Sequence, residues 1–348
     1  MTAVIARAPG RVTLIGDHTD YTGGLCLPMA IDRAITITGV RDADAGAVRL
    51  ESTDEPDAVT IPLDVADPQL VRPEWGRYVA GVVAELRPAA GFRGRVTSTI
   101  PAGSGLSSSA ALEVATALAL GAAATTEADR LALARLCQAA EHAARGVPTG
   151  LLDQIASIGG VAGHGILIDC TTFDVAPVPL PPPDEVHWLV VNTGARSLAA
   201  SGYTERVRQL AAAADEIGPL RDATPDAVAS LADPELRARA RHVVTENARV
   251  RAFAEAVTAG DAAGAGALMN ESHRSLSRDF ESSTPAVDEL CDVLVAREGV
   301  LGVRITGAGW GGCIVAMVRP GAVAAAEFAT AWYVQPSGGA GVSVDPSA

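Results

Sequence analysis

Ile100-Pro-Ala-Gly-Ser-Gly-Leu-Ser-Ser-Ser-Ala-Ala111 closes an apolar, β-branched run with two glycines and four serines close together, then turns into an alanine-rich helical stretch. Glycine lets backbone approach a ligand, and a helix start offers unpaired N–H groups and a positive dipole end. The layout suits a phosphate cradle formed by Gly103, Ser104, Gly105, Leu106, Ser107, Ser108 and Ser109. It equally suits an ordinary capped helix, because serine is a preferred N-cap. The chain contains no lysine; its 27 basic residues are all arginines. A Walker-type loop, a protein-kinase strand lysine and a Schiff-base cofactor site are therefore excluded. Any phosphate bound here must be met by amides, hydroxyls, arginine and metal.

Composition narrows the class. The 348 residues suffice for two packed domains, and 48% hydrophobic content reads as globular. A net charge of −14 argues against a nucleic-acid surface. Five scattered cysteines without a C-x-x-C pair point to a reducing compartment and no structural zinc. The first residues, Met1 to Arg7, lack a signal-peptide pattern. The most apolar helix, Ala110 to Ala124, is too short for a membrane span and carries Glu113. A cytoplasmic protein is expected.

Strand patterns fall at Val12 to Ile15, Ala34 to Val40, Ala47 to Leu50 and Arg95 to Ile100. Helical spacing marks Trp75 to Arg87, Ser107 to Ala124, Glu127 to Arg145 and a stretch from Gly150 to Ser157. The proline-dense Val175 to Pro183 forces extended chain and is the expected boundary, dividing the chain into residues 1–180 and 181–348. Beyond it come a strand from His187 to Asn192 and one long helical region from Thr204 to about Gly260. Helices follow at Ala262 to Leu276 and Thr284 to Arg297, and strands at Val303 to Thr306 and Ile314 to Val318. The Gly/Ser/Pro-rich tail from Pro336 is expected to fray. Without regular βαβ alternation, the class is α+β.

Other polar segments accompany the loop. Arg11, Asp17, His18 and Asp20 lie within ten residues beside an apolar strand and before Gly23-Gly24. Such a set could hold polyol hydroxyls or could merely satisfy a polar turn. Asp153 follows Gly150, and Glu141 precedes both; a first-turn carboxylate and a helix surface carboxylate would be ordinary. Gly307-Ala-Gly-Trp-Gly-Gly-Cys313 is a further glycine loop, explicable as a tight strand connection.

In order and wording, these segments resemble the GHMP kinase superfamily, and within it the galactokinases. Arg11 to Gly24 is similar to the galactokinase signature, Pro101 to Ala111 to the ATP-phosphate motif, and Gly307 to Cys313 to the C-terminal glycine motif. Weaker matches fall at Trp75 to Val79, Glu141-His142, Asp153-Gln154, Ser197 to Tyr203 and Ser272 to Glu281. The resemblance spans about Ala8 to Val318.

It implies a two-domain α+β architecture with the active site in the cleft between domains, and ATP-dependent phosphorylation of galactose at C1. By the same resemblance Asp153 is the base or positioning group and Arg11 its charged neighbour. Asp17, His18, Asp20, Gly150 and Tyr203 bind the sugar; Trp75 and Tyr78 flank adenine; Ser109 and Glu141 hold Mg2+. A carboxylate paired with a guanidinium is a weak base, so positioning could outweigh basicity. The implied partners are a small sugar and ATP, with no nucleic acid and no membrane, in a monomer or weak homodimer. The chain departs from the pattern where Asp17 replaces a usual glutamate, where Thr149 replaces a common cysteine, and in lacking the extension that often precedes the first motif. Rival readings are a sugar-1-kinase for arabinose, galacturonate or an N-acetylhexosamine, and a non-catalytic galactose sensor.

Overall fold

The computed structural model describes residues 2–101, 103–146, 149–194 and 202–345. β1 (Thr2–Ile15) and β2 (Leu25–Asp42) open the chain, followed by β3 (Ala47–Ser52) and β4 (Val59–Pro62). Helix α1 (Gly76–Leu86) precedes β5 (Gly91–Ser98). Next come α2 (Ser108–Leu120), α3 (Glu127–Arg145), α4 (Leu152–Gly159), β6 (His164–Asp169) and β7 (Val175–Pro179). The rest runs β8 (His187–Gly194), α5 (Tyr203–Ile217), α6 (Pro225–Ser230), α7 (Pro234–Thr258), α8 (Ala262–Arg278) and α9 (Pro285–Val295). It closes with β9 (Val300–Thr306), β10 (Gly312–Val318), β11 (Ala331–Val334) and β12 (Gly341–Asp345). One sheet has the order β12-β1-β2-β5-β3-β4, with β6 pairing β2 and β7 pairing β6; the other runs β11-β8-β10-β9. The α+β class holds.

Helix α2 is the axis of the first layer. Ala110 to Ala119 are all buried, which explains why its sequence is apolar throughout except at Glu113 and Thr116. It packs on β1 and β2 and against α1, α3 and α4. The second sheet is buried on both faces. Leu189 and Val191 of β8, with Ile314, Ala316 and Val318 of β10, enter one core. Their alternates Trp188, Val190, Cys313, Val315 and Met317 enter the other. Two-sided burial turns these strands into continuous apolar runs, and the period-two alternation sorts them between the cores.

Several boundaries differ from expectation. Val12 to Ile15 is only the end of a 14-residue strand, and Ala34 to Val40 lies in the second half of an 18-residue one. The long helical region after Thr204 is three helices. Pro225 and Pro234 each occupy a first helical position, and the side chains of Thr224 and Asp233 cap those helices. The proline-dense segment begins with an edge strand: Pro177 pairs with Ile166 and Pro179 with His164, where prolines sit without disrupting a central ladder. The described part of the tail, residues 336–345, is tied down. Ser337 N donates to the Ala30 carbonyl at 2.8 Å, and β12 pairs with β1 from Ala3↔Asp345 to Arg7↔Gly341.

Candidate active site

The Gly/Ser loop meets the first strand at Gly10. A Cβ there would lie 2.5 Å from the Leu106 carbonyl oxygen, so only glycine permits this approach. Arg11 N donates to the same carbonyl at 3.2 Å. Gly103 and Gly105 have φ of +66° and +74°, and Ser107 shares the left-handed region at +62°. Ser107 stands at the N-cap position of α2, yet its side chain makes no cap bond. Its Oγ donates instead to Asp153 Oδ2 at 2.6 Å. The amides of the first turn therefore keep no side-chain cap from Ser107 and remain suited to an anion.

Asp153 opens α4 and is held from both sides. Arg11 Nε donates to its Oδ1 at 2.7 Å, Arg11 Nη2 lies 2.6 Å from the same oxygen, and Arg11 Nη1 donates to the Gly105 carbonyl at 2.9 Å. One guanidinium thus joins the strand, the loop and the carboxylate. On the opposite flank, Ser109 Oγ donates to Glu141 Oε1 at 3.0 Å, and Thr149 Oγ1 and Gln154 Nε2 donate to Oε2 at 3.1 and 3.0 Å. Gln154 Nε2 also reaches Glu113 Oε2 at 3.3 Å. Burial, then the nearby Glu141, pushes the Glu113 carboxyl well above the usual carboxylate range. The described residues contain no cluster of three or more His, Cys, Asp or Glu disposed around an ion. A hydroxyl and a carboxylate side by side still fit magnesium, which keeps several waters and takes one or two carboxylates plus phosphate oxygens.

The other end of the cleft is acidic and aromatic. Asp17 Oδ2 lies 2.8 Å from Nη2 of the fully buried Arg304, and Gly307 N donates to Asp17 Oδ1 at 3.2 Å. Burial raises the Asp17 carboxyl to about 6 against the pull of Arg304 and Arg11. Desolvation, then the charge of Asp153, raises Asp20 to about 7. Gly150 makes room for Asp20, since a Cβ there would sit 1.6 Å from Asp20 Oδ2. His18 Nδ1 meets the Tyr21 hydroxyl at 2.9 Å, and its ring stacks near Phe280 and Tyr203, with centroids at 4.4 and 5.9 Å.

Most of these groups line one cleft of about 450 Å³, with Arg304, Glu113, Gln154 and Phe280 behind its wall. It gathers Arg11, Asp17, His18, Asp20, Gly150, Asp153 and Tyr203 with Trp75, Tyr78, Gly103, Gly105, Ser107, Ser108, Ser109 and Glu141. Ser104 and Leu106 turn inward: Ser104 Oγ donates to the Pro101 carbonyl at 2.7 Å, and the Leu106 side chain is buried. Of the segment Ser197 to Tyr203, residues 197–201 lie outside the described ones. Sequence reading passed over Arg304 and Arg145. Arg304 is distant in sequence from its partners and carries no local signal; Arg145 reads as an ordinary helix C-terminal cation.

Comparison with known proteins follows the same line. The family model described as GHMP kinases N terminal domain matches residues 77–161, that for the galactokinase galactose-binding signature 1–41, and that for GHMP kinases C terminal 253–334. Galactokinase of Homo sapiens is 42% identical over 330 residues, covering 90% of this chain and 83% of that protein. Galactokinase of Roseiflexus sp. (strain RS-1) is 42% identical over 338 residues, covering 92% and 84%. The crystal structure of Lactococcus lactis galactokinase complexed with galactose aligns with a TM-score of 0.88 at 30% identity, over 97% of this chain and 95% of that one. Methanococcus jannaschii mevalonate kinase shares the fold, with a TM-score of 0.69 at 19% identity over 96% and 98%.

Proposed function

This chain belongs to the galactokinase family of the GHMP kinases, and from that premise we propose how it phosphorylates galactose with ATP: by transfer of the γ-phosphoryl group to the C1 hydroxyl in the cleft around Arg11 and Asp153. The observation that carries this reading is the junction of Asp153 with both Arg11 and Ser107 at the start of α2. There the acceptor-positioning carboxylate, a cation and the phosphate loop meet.

The C1 hydroxyl donates to Asp153, which orients its oxygen toward the γ-phosphorus. That oxygen forms the new P–O bond while the bond to the β,γ-bridging oxygen breaks. ADP leaves and the hydroxyl proton ends on Asp153. A largely dissociative transition state needs little early proton removal, so Asp153 can work mainly by positioning. Arg11 stabilises charge on the transferring group. The amides of Gly103 to Ser109 and the α2 dipole hold the phosphates. Magnesium, when bound, neutralises phosphate oxygens, and Ser109 with Glu141 would hold it. Asp17, His18, Asp20, Gly150 and Tyr203 hold the sugar, and Trp75 and Tyr78 flank the adenine.

Arabinose, galacturonate or N-acetylhexosamine as substrate, and a non-catalytic sensor, are not favoured beside galactokinase relatives at about 40% identity. The division into residues 1–180 and 181–348 belongs to the same proposal; the buried residues of one apolar core all come from the second part, whereas the other core draws on both. No described helix is long and apolar enough to cross a membrane. The proposal puts the chain in the cytoplasm, as its five buried free thiols favour, with a monomer or weak homodimer as its working form.

A coupled ADP-release assay over a sugar panel tests the reading. Galactose is expected to exceed arabinose, galacturonate and N-acetylgalactosamine in kcat/KM. Asp153→Asn should keep its thermal melt and ADP binding but lose roughly a hundredfold or more in kcat. Faster turnover of another sugar overturns the substrate; near-normal turnover by Asp153→Asn removes that residue from its role.

A further inference from the structure

Arg145 ends α3 and lines the cleft, with its side chain only 27% exposed. Its Nη1 donates to Glu141 Oε1 at 3.3 Å, the same oxygen that accepts from Ser109 Oγ at 3.0 Å. One carboxylate oxygen therefore separates this guanidinium from the first turn of α2, where the phosphate loop delivers its amides.

Charge around the cleft makes the position significant. The described lining residues include six carboxylates (Asp17, Asp20, Asp54, Glu55, Glu141 and Asp153) but only two guanidinium groups, Arg11 and Arg145. Arg11 is already committed, through three nitrogens, to Asp153 and the Gly105 carbonyl. Since the chain has no lysine, any further long cation would itself have to be an arginine. A nucleotide carrying several negative charges would enter an acidic cleft in which, among the described lining residues, Arg145 is the guanidinium held by the fewer contacts. A guanidinium can bind phosphate oxygens in pairs, and a polyanion competes well with one long contact to a single carboxylate.

We propose that Arg145 is a second phosphate-binding cation of the cleft, resting on Glu141 in the free protein and turning to the nucleotide's terminal phosphates on binding. The move also releases Glu141 Oε1 beside Ser109, on the flank where a hard cation fits. The proposal rests on the kinase reading of the cleft. A structural role would differ: an i,i+4 pair at a helix C-terminus is a weak contact and acts on stability alone.

Calorimetric titration with adenosine, ADP and a non-hydrolysable ATP analogue, on wild type, Arg145→Ala and Arg145→Lys, separates the two. Arg145→Ala should weaken ADP and the analogue about tenfold or more, as expected for a lost charge-assisted contact, and leave adenosine unchanged. KM for ATP should rise in parallel, KM for galactose should stay within about twofold, and the thermal midpoint should hold. Arg145→Lys should recover part of the affinity. Wild-type affinity for ADP and the analogue in Arg145→Ala overturns the proposal, as does equal weakening of adenosine. If wild type binds ADP but releases none from ATP with any sugar, the functional reading fails while the binding comparison still decides Arg145. Failure of wild type to bind ADP overturns both.

Discussion

Asp20 keeps its carboxyl near pH 7 rather than at its ordinary 3.8, because the cleft desolvates it and Asp153 repels its charge. The sign of the linkage follows. Below the ordinary value the carboxyl is neutral in folded and unfolded chains alike. As pH rises, the unfolded chain ionises first, so folding stability falls until the folded group ionises too. Asp20→Asn should therefore melt above wild type by a margin that grows between pH 4 and 7 and then levels. A margin independent of pH would show that Asp20 does not carry the burden. Asp17, raised to about 6, follows the same sign over a narrower window.

At the scale of elements, the strand β1 and the loop before α2 form one unit through Gly10 and Leu106. Gly10→Ala would drive a Cβ to 2.5 Å from a carbonyl oxygen that has no side-chain freedom to yield. The loop or the strand must shift, and Arg11, next in sequence, shifts with them. We expect kcat/KM for ATP to fall about a hundredfold, as for a misplacement of this size, with a lower thermal midpoint. Wild-type kcat/KM in this variant would detach the strand from the loop's function. The loop and α2 were legible in the sequence because their signals are local: glycine, serine, then an unbroken alanine-rich run. The paired runs of β8 and β10 were legible because both faces are buried. Breaks before α6 and α7 were written in Thr224-Pro225 and Asp233-Pro234 but were submerged in a long helical average. Ser107's bond to Asp153 was illegible, since the reading that makes serine a cap is local and its actual partner is 46 residues away.

Across the whole molecule, Arg304 of β9 joins the second sheet to the turn after β1. It pairs with Asp17, lies 3.9 Å from the buried Glu246 of α7, and donates to the Thr13 carbonyl at 3.3 Å. Removing one partner of such a buried set leaves uncompensated charge. Arg304→Leu should cost about 3–5 kcal/mol in denaturant unfolding, and Arg304→Leu with Asp17→Asn should cost less than the sum of the two changes alone. Strict additivity would mean that the pair is not coupled. β12 joins distant parts of the chain in another way. Strand β1 is flanked in its sheet by β2, the next strand of the chain, and by β12, made after everything else the sheet contains. Until translation reaches Gly341, the nascent sheet must keep an open hydrogen-bonding edge at Ala3 to Arg7, which a neighbouring nascent chain or a chaperone could occupy.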